Sequence, residues 1–160
     1  MSETGRLWGV VALLTFLHLL FRVALGVGAA APDLLTVALL VAARGTGPAG
    51  GAATGFGFGL LEDAFALLSF GSNTVALTVT GILGGFTRDL FVGDSRLFQV
   101  SYIFMGKLLR DALYWFLAEP SVRDSFVDRV LVFGSMQAAY AALVGVLLFS
   151  ITGVWGEEEQ

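Results

Sequence analysis

Apolar residues run through this chain in long blocks, broken at short intervals by glycine, proline, serine, asparagine and aspartate. A helix needs about 20 such residues to cross a bilayer. Six blocks approach that length: residues 7–25, 33–43, 50–70, 73–92, 97–118 and 126–154. The second is short for a span and gains length only by borrowing residues 29–32. The apolar–polar alternation that marks a barrel strand is absent. The pattern predicts an all-α integral membrane protein: a bundle of about six transmembrane helices in a single polytopic domain over residues 1–160. Turn-forming residues gather at 26–32, 45–51, 70–73, 93–96 and 119–129. Connections this short join antiparallel neighbours. The stretch 119–129 is the longest polar one and the best candidate for an exposed contact surface.

Composition supports the same picture. Mean hydropathy is +0.82, and 14% of residues are charged, against about 25% in soluble domains. A fold of 160 residues cannot hide so much apolar surface, so lipid is the expected solvent. The net charge of −4 opposes nucleic-acid binding. Without cysteine there is no disulfide or thiolate metal site, and one histidine excludes a multi-histidine metal site. Near the N-terminus, Arg6, an apolar run and Ala29-Ala30-Ala31 imitate a secretory signal. The run is long for one and Arg22 interrupts its end, so a retained helix is expected. Alternating spans place Arg6, Arg44, Arg88 and Arg96 on one side, and Arg22, Arg123 and Arg129 on the other. The excess of positive charge on the first side predicts a cytoplasmic (inner) membrane protein with both termini inside.

Small residues recur at helical spacing. Gly51, Gly55 and Gly59 form a stripe that lets helices approach closely. The next position in the series is Asp63, with Glu62 turned about 100° away. Gly81 and Gly85 share a face with Thr74, Thr78 and Arg88, and Gly134, Ala138, Ala142 and Gly145 line the last span. Thr15, His18 and Arg22 form a stripe on the first. Lys107, Arg110, Asp111 and Tyr114 line one side of the fifth span, where Lys107 and Asp111 can pair within the helix. The expected buried charge network is Glu62, Asp63, Lys107, Arg110 and Asp111, with Asp63 or Glu62 pairing with Lys107 or Arg110 between helices. An intramembrane ionisable group is a functional hypothesis by default, yet a structural ion-pair network accounts for these residues equally well and is placed slightly ahead. His18 is either a proton relay or a hydrogen-bonded packing residue. Arg6, Arg22, Arg44, Arg88 and Arg96 lie near span ends and are expected to snorkel to the interface.

Catalytic patterns are missing. Neither G-x-S-x-G nor a P-loop occurs. Gly55-Phe-Gly57-Phe-Gly59 lies inside an apolar helix, so it is no dinucleotide fingerprint. Helical geometry splays the adjacent carboxylates of Glu62 and Asp63. A non-enzymatic chain without catalytic, metal or cofactor-binding residues is expected.

The segment from Gly55 to Asp63 resembles the G-x-x-x-G-L-x-x-D signature of the bacterial MreD family, matched at Gly55, Gly59, Leu60 and Asp63. The turn at 70–73, the Thr80-Gly81 and Gly84-Gly85 pairs, and a basic helix end at Arg88 follow as in that family. The resemblance implies a fold similar to the substrate-binding subunits of energy-coupling-factor transporters. It implies a subunit of the rod-shape (elongation) complex that binds MreC and supports lateral peptidoglycan synthesis. A RodA-type glycosyltransferase, a class B penicillin-binding protein and MreB filaments would belong to the same assembly. The competing expectation is a substrate-binding membrane subunit of a vitamin-type transporter, with Asp63 and the charged fifth span as ligand contacts.

Overall fold

A computed structural model describes residues 2–24, 33–66, 68–90 and 95–152. Among these residues the chain is helical and forms no strand. It has five α-helices: α1 (Glu3–Leu19), α2 (Leu34–Asp63), α3 (Ser72–Leu90), α4 (Arg96–Leu117) and α5 (Ser135–Thr152). A π-helical turn, Leu20–Ala24, continues α1, and a longer one, Val127–Gly134, leads into α5. Short polar side chains start three helices: Ser2 accepts from the Gly5 amide, Asp33 from Thr36, and Ser95 from Phe98. The alanine run 29–31 lies outside the described residues.

The structure corrects the expected count of six separate spans. Among the described residues, three helical stretches are long and apolar enough to cross a membrane: Glu3–Arg22, Leu34–Asp63 and Val127–Ile151. α3 and α4 fall short of that apolar standard, because α3 is rich in threonine and glycine and α4 carries Arg96, Lys107, Arg110 and Asp111. The blocks 33–43 and 50–70 join in one element, α2. The loop expected over 45–51 shrinks to Gly47, the one non-helical residue inside α2, at φ 79° and ψ −173°. Side-chain-bearing residues avoid that region. Pro48 follows, which disfavours helical geometry at the preceding residue and suits the first turn of a new helical arm.

The bend at Gly47 folds α2 back on itself. A straight helix of 30 residues would separate its ends by about 45 Å. Here Asp33, before its first residue, and Glu62, next to its last, both lie within electrostatic reach of Arg110. The first arm is buried all round: every residue from Leu34 to Ala43 is inside. It packs with Val10, Val11 and Leu14 of α1, Ile103 of α4, and Ala141, Ala142 and Phe149 of α5. Such all-apolar helical surface belongs at the centre of a bundle.

The second arm lies against α3 through the small-residue stripes. A side chain at Gly51 would strike the Gly81 backbone, one at Gly55 that of Leu77 and Thr78, and one at Gly59 that of Thr74. Gly85 sits equally close to Gly47 and Pro48. In the last helix, Ala138, Ala142 and Gly145 face inward, and Gly145 touches Ile103 and Val37. The outer surface is apolar, with Phe16, Phe56, Phe86, Leu97, Met105 and Leu147 among its exposed side chains. A surface of this kind suits hydrocarbon rather than water.

Tyr102 ties α4 to two neighbours. Its hydroxyl lies 3.0 Å from the Leu40 carbonyl oxygen and 3.2 Å from that of Gly84. Tyr102→Phe should lower stability by about 1 kcal/mol, a drop of a few degrees in thermal melting of the detergent-solubilised chain. An unchanged midpoint would show that the hydroxyl contributes nothing to holding α2, α3 and α4 together.

Candidate functional site

Charged residues converge at one end of the bundle, where α1 finishes, α2 begins and ends, and α3 begins. Glu62 accepts from His18 at 2.9 Å and pairs with Arg22. The last turn of α2 is thereby clamped to the end of α1. Lys107 is buried; its Nζ lies 2.5 Å from both carboxylate oxygens of Asp111 and 3.4 Å from Asp33 Oδ2. Arg110 donates to Asp111 at 3.1 Å and to Asn73 Oδ1 at 2.7 Å, and it lies 4.0 Å from Asp33.

Asp63 does something different from its expected role. It pairs with neither Lys107 nor Arg110. Its carboxylate accepts from the Gly71, Asn73 and Thr74 amides, from Asn73 Nδ2 and from the Thr74 hydroxyl. Asp63 therefore caps the N-terminus of α3, where unpaired amides and the helix dipole favour a carboxylate. Asn73 links this cap to Arg110, since its side-chain nitrogen donates to Asp63 while its oxygen accepts from the guanidinium. Glu62 likewise makes its ion pairs with α1; towards Arg110 it has only a longer-range attraction.

The network is wider than the sequence reading. Asp33, His18, Arg22 and Asn73 belong to it, joining Glu62, Lys107, Arg110 and Asp111. Arg22 turns inward to Glu62 instead of snorkelling, and Arg44 lies over the Phe98 ring at 4.7 Å. The i,i+4 spacing of His18 and Arg22 was the sequence signal for a polar stripe on α1. Nothing local indicated that Asp33, a residue suited to capping α2, would also meet Lys107. Arg88 reaches across to the Gly45 carbonyl at 3.5 Å.

His18, Arg22, Asp33, Glu62, Asn73, Lys107 and Arg110 surround a polar cavity of about 350 Å³, which also reaches Tyr114, Arg129 and Gln137. The segment 119–129 lies beside it. Arg123 donates to the Ala118 and Phe116 carbonyls at the end of α4, and the Trp115 indole donates to the Asp124 carbonyl. Glu119, Asp124, Asp128 and Arg129 are exposed along that segment. A second, larger cleft of about 640 Å³ opens between α3 and α4. It is apolar, with Gly84 and Gly106 among its lining and Leu83, Leu97 and Met105 exposed there. The site can bind charge and hold helices together. Among the described residues, no nucleophile is paired with a general base around it. No family model matches the chain, and no curated protein or solved structure is significantly similar to it.

Proposed function

We propose that this chain is an MreD-type, non-enzymatic subunit of the bacterial rod-shape complex, resident in the cytoplasmic membrane with both termini inside. The observation that carries the reading is the work done by the four residues of the signature. Gly55 and Gly59 admit the α3 backbone, Asp63 caps α3, and Leu60 faces outward. A motif with that division of labour defines a helix pair, as a scaffold requires, and supplies no reacting group. The finer architecture in this proposal counts the two arms of α2 separately, giving six membrane-crossing segments. Their arrangement would be similar to that of energy-coupling-factor substrate-binding subunits.

In this reading the single transmembrane helix of an MreC-like protein packs on the outer face of the bundle. The apolar cleft between α3 and α4 offers small residues for close approach and leucine, methionine and phenylalanine for area. The exposed segment 119–129 meets the partner's part outside the membrane. A RodA-type glycosyltransferase and a class B penicillin-binding protein join through that assembly, and lateral peptidoglycan synthesis is regulated through it. Affinity capture of the tagged chain in mild detergent should recover an MreC-like protein. Met105→Trp, which fills the cleft from an exposed position, should reduce that recovery at least tenfold while the purified chain stays folded. Recovery of the chain alone, with normal cell shape after deletion of its gene, would remove the proposal.

The polar cavity favours a second reading, a substrate-binding membrane subunit of a vitamin-type transporter. That reading requires tight, saturable binding of a small polar nutrient by the purified chain, and a gene neighbouring those of an ATPase pair.

A further inference from the structure

We infer that the polar cavity is a binding site for a phosphate ester. The hydrogen-bond inventory around it is lopsided. All six carboxylate oxygens of Asp33, Glu62 and Asp111 already accept from a donor. Donors are left over. Arg110 Nε is buried without a partner. Among the described residues Arg129 has no carboxylate within ion-pairing distance, and it reaches the cavity from the exposed start of the Val127–Gly134 turn. A pocket whose acceptors are satisfied and whose donors are not calls for an acceptor-rich anion.

Charge points the same way. Four cations, Arg22, Lys107, Arg110 and Arg129, line the cavity with two carboxylates, Asp33 and Glu62, and a third, Asp111, lies behind Lys107 and pairs with it. The surplus of one positive charge matches a phosphodiester monoanion. Three of the four cations are arginines, whose forked guanidinium groups suit phosphate oxygens.

Position and size narrow the ligand further. Lys107 lies about 15 Å along α4 from its end at Leu117. The cavity thus runs from the ends of α1 and α2 and the start of α3 to the middle of α4, with Arg129 at its exposed mouth. A volume of about 350 Å³ is at the small end for ligand sites. It admits a phosphoglycerol group while leaving acyl chains outside. Retention of so many buried ion pairs also needs a reason beyond stability, because such pairs rarely outperform apolar packing.

The test uses the full chain in nanodiscs of phosphatidylcholine alone or with phosphatidylglycerol, and in phosphatidylcholine with soluble glycerophosphoglycerol. Thermal midpoints and retained lipid by native mass spectrometry are read together. Phosphatidylglycerol should be retained preferentially and raise the midpoint. Arg129→Gln, an exposed change that leaves the interior intact, should weaken that retention roughly tenfold. Arg96→Gln, at the other end of α4, should leave it unchanged. Stabilisation by glycerophosphoglycerol without any preference for phosphatidylglycerol would assign the site to a free phosphate ester rather than a lipid. No response to either compound, or an Arg129→Gln chain that retains phosphatidylglycerol as the parent does, overturns the inference.

Discussion

Asp63→Ala should cost this protein about 4 kcal/mol, the scale set by breaking one side of a buried, hydrogen-bonded charge system. Five donors lose their acceptor at once: three backbone amides, the Asn73 side chain and the Thr74 hydroxyl. They open the N-terminal turn of α3, and inside the bundle they have little water to turn to. Asn73 also holds Arg110, so the loss reaches the charge network one residue further on. Asp63→Asn keeps an acceptor oxygen and should cost about half as much. In thermal melting of the detergent-solubilised chain, the alanine variant should fall by about 10 °C. A shift of a degree or less would mean that α3 does not depend on this cap.

Gly55→Val should be comparably damaging, by a different route. A Cβ at Gly55 meets the carbonyl carbon of Leu77 at 2.7 Å and Thr78 Cα at 2.9 Å. These are backbone atoms, so no rotamer change on α3 relieves the clash. The whole helix must move away from α2, and the neighbouring contacts of Gly51 and Gly59 open with it. The expected loss is about 3 kcal/mol, the upper part of the range for overpacked cores. Gly57 supplies the control on the same arm, because a Cβ there meets nothing within 4 Å. Gly57→Ala should be neutral or stabilising by up to about 1 kcal/mol, through helix propensity alone. Melting midpoints and the folded fraction after size exclusion separate the two. Equal behaviour of Gly55→Val and Gly57→Ala would show that the stripe does not set the distance between α2 and α3.

Helical character and the small-residue faces were legible because both are periodic along the chain. Long apolar blocks specify helices for an apolar surrounding, and glycines four residues apart must share a face wherever the helix lies. Asp63 was placed on the packed face for the same local reason, as the next position in the glycine series. The partners of Glu62 and Asp63 were not legible. A carboxylate next to a helix end pairs with whatever the chain's return path brings near, and here the turn after α2 delivers the first amides of α3 to Asp63 before any lysine or arginine can reach it. The block 33–43 likewise reads as a short span from its apolar residues. Its place at the centre of the bundle depends on the reversal at Gly47 and on four other helical surfaces closing around it.

The sequence by itself determined that this protein is helical, which faces are smooth enough for close packing, and that a handful of charges sit among apolar residues. Tertiary structure alone decided that α2 doubles back, that Asp33 and Glu62 meet near Arg110, and that a polar cavity lies between them. Periodicity is a property of neighbours three or four residues apart. Ion pairing in a bundle joins residues as far apart as Asp33 and Lys107, and only the path of the backbone through space brings them together.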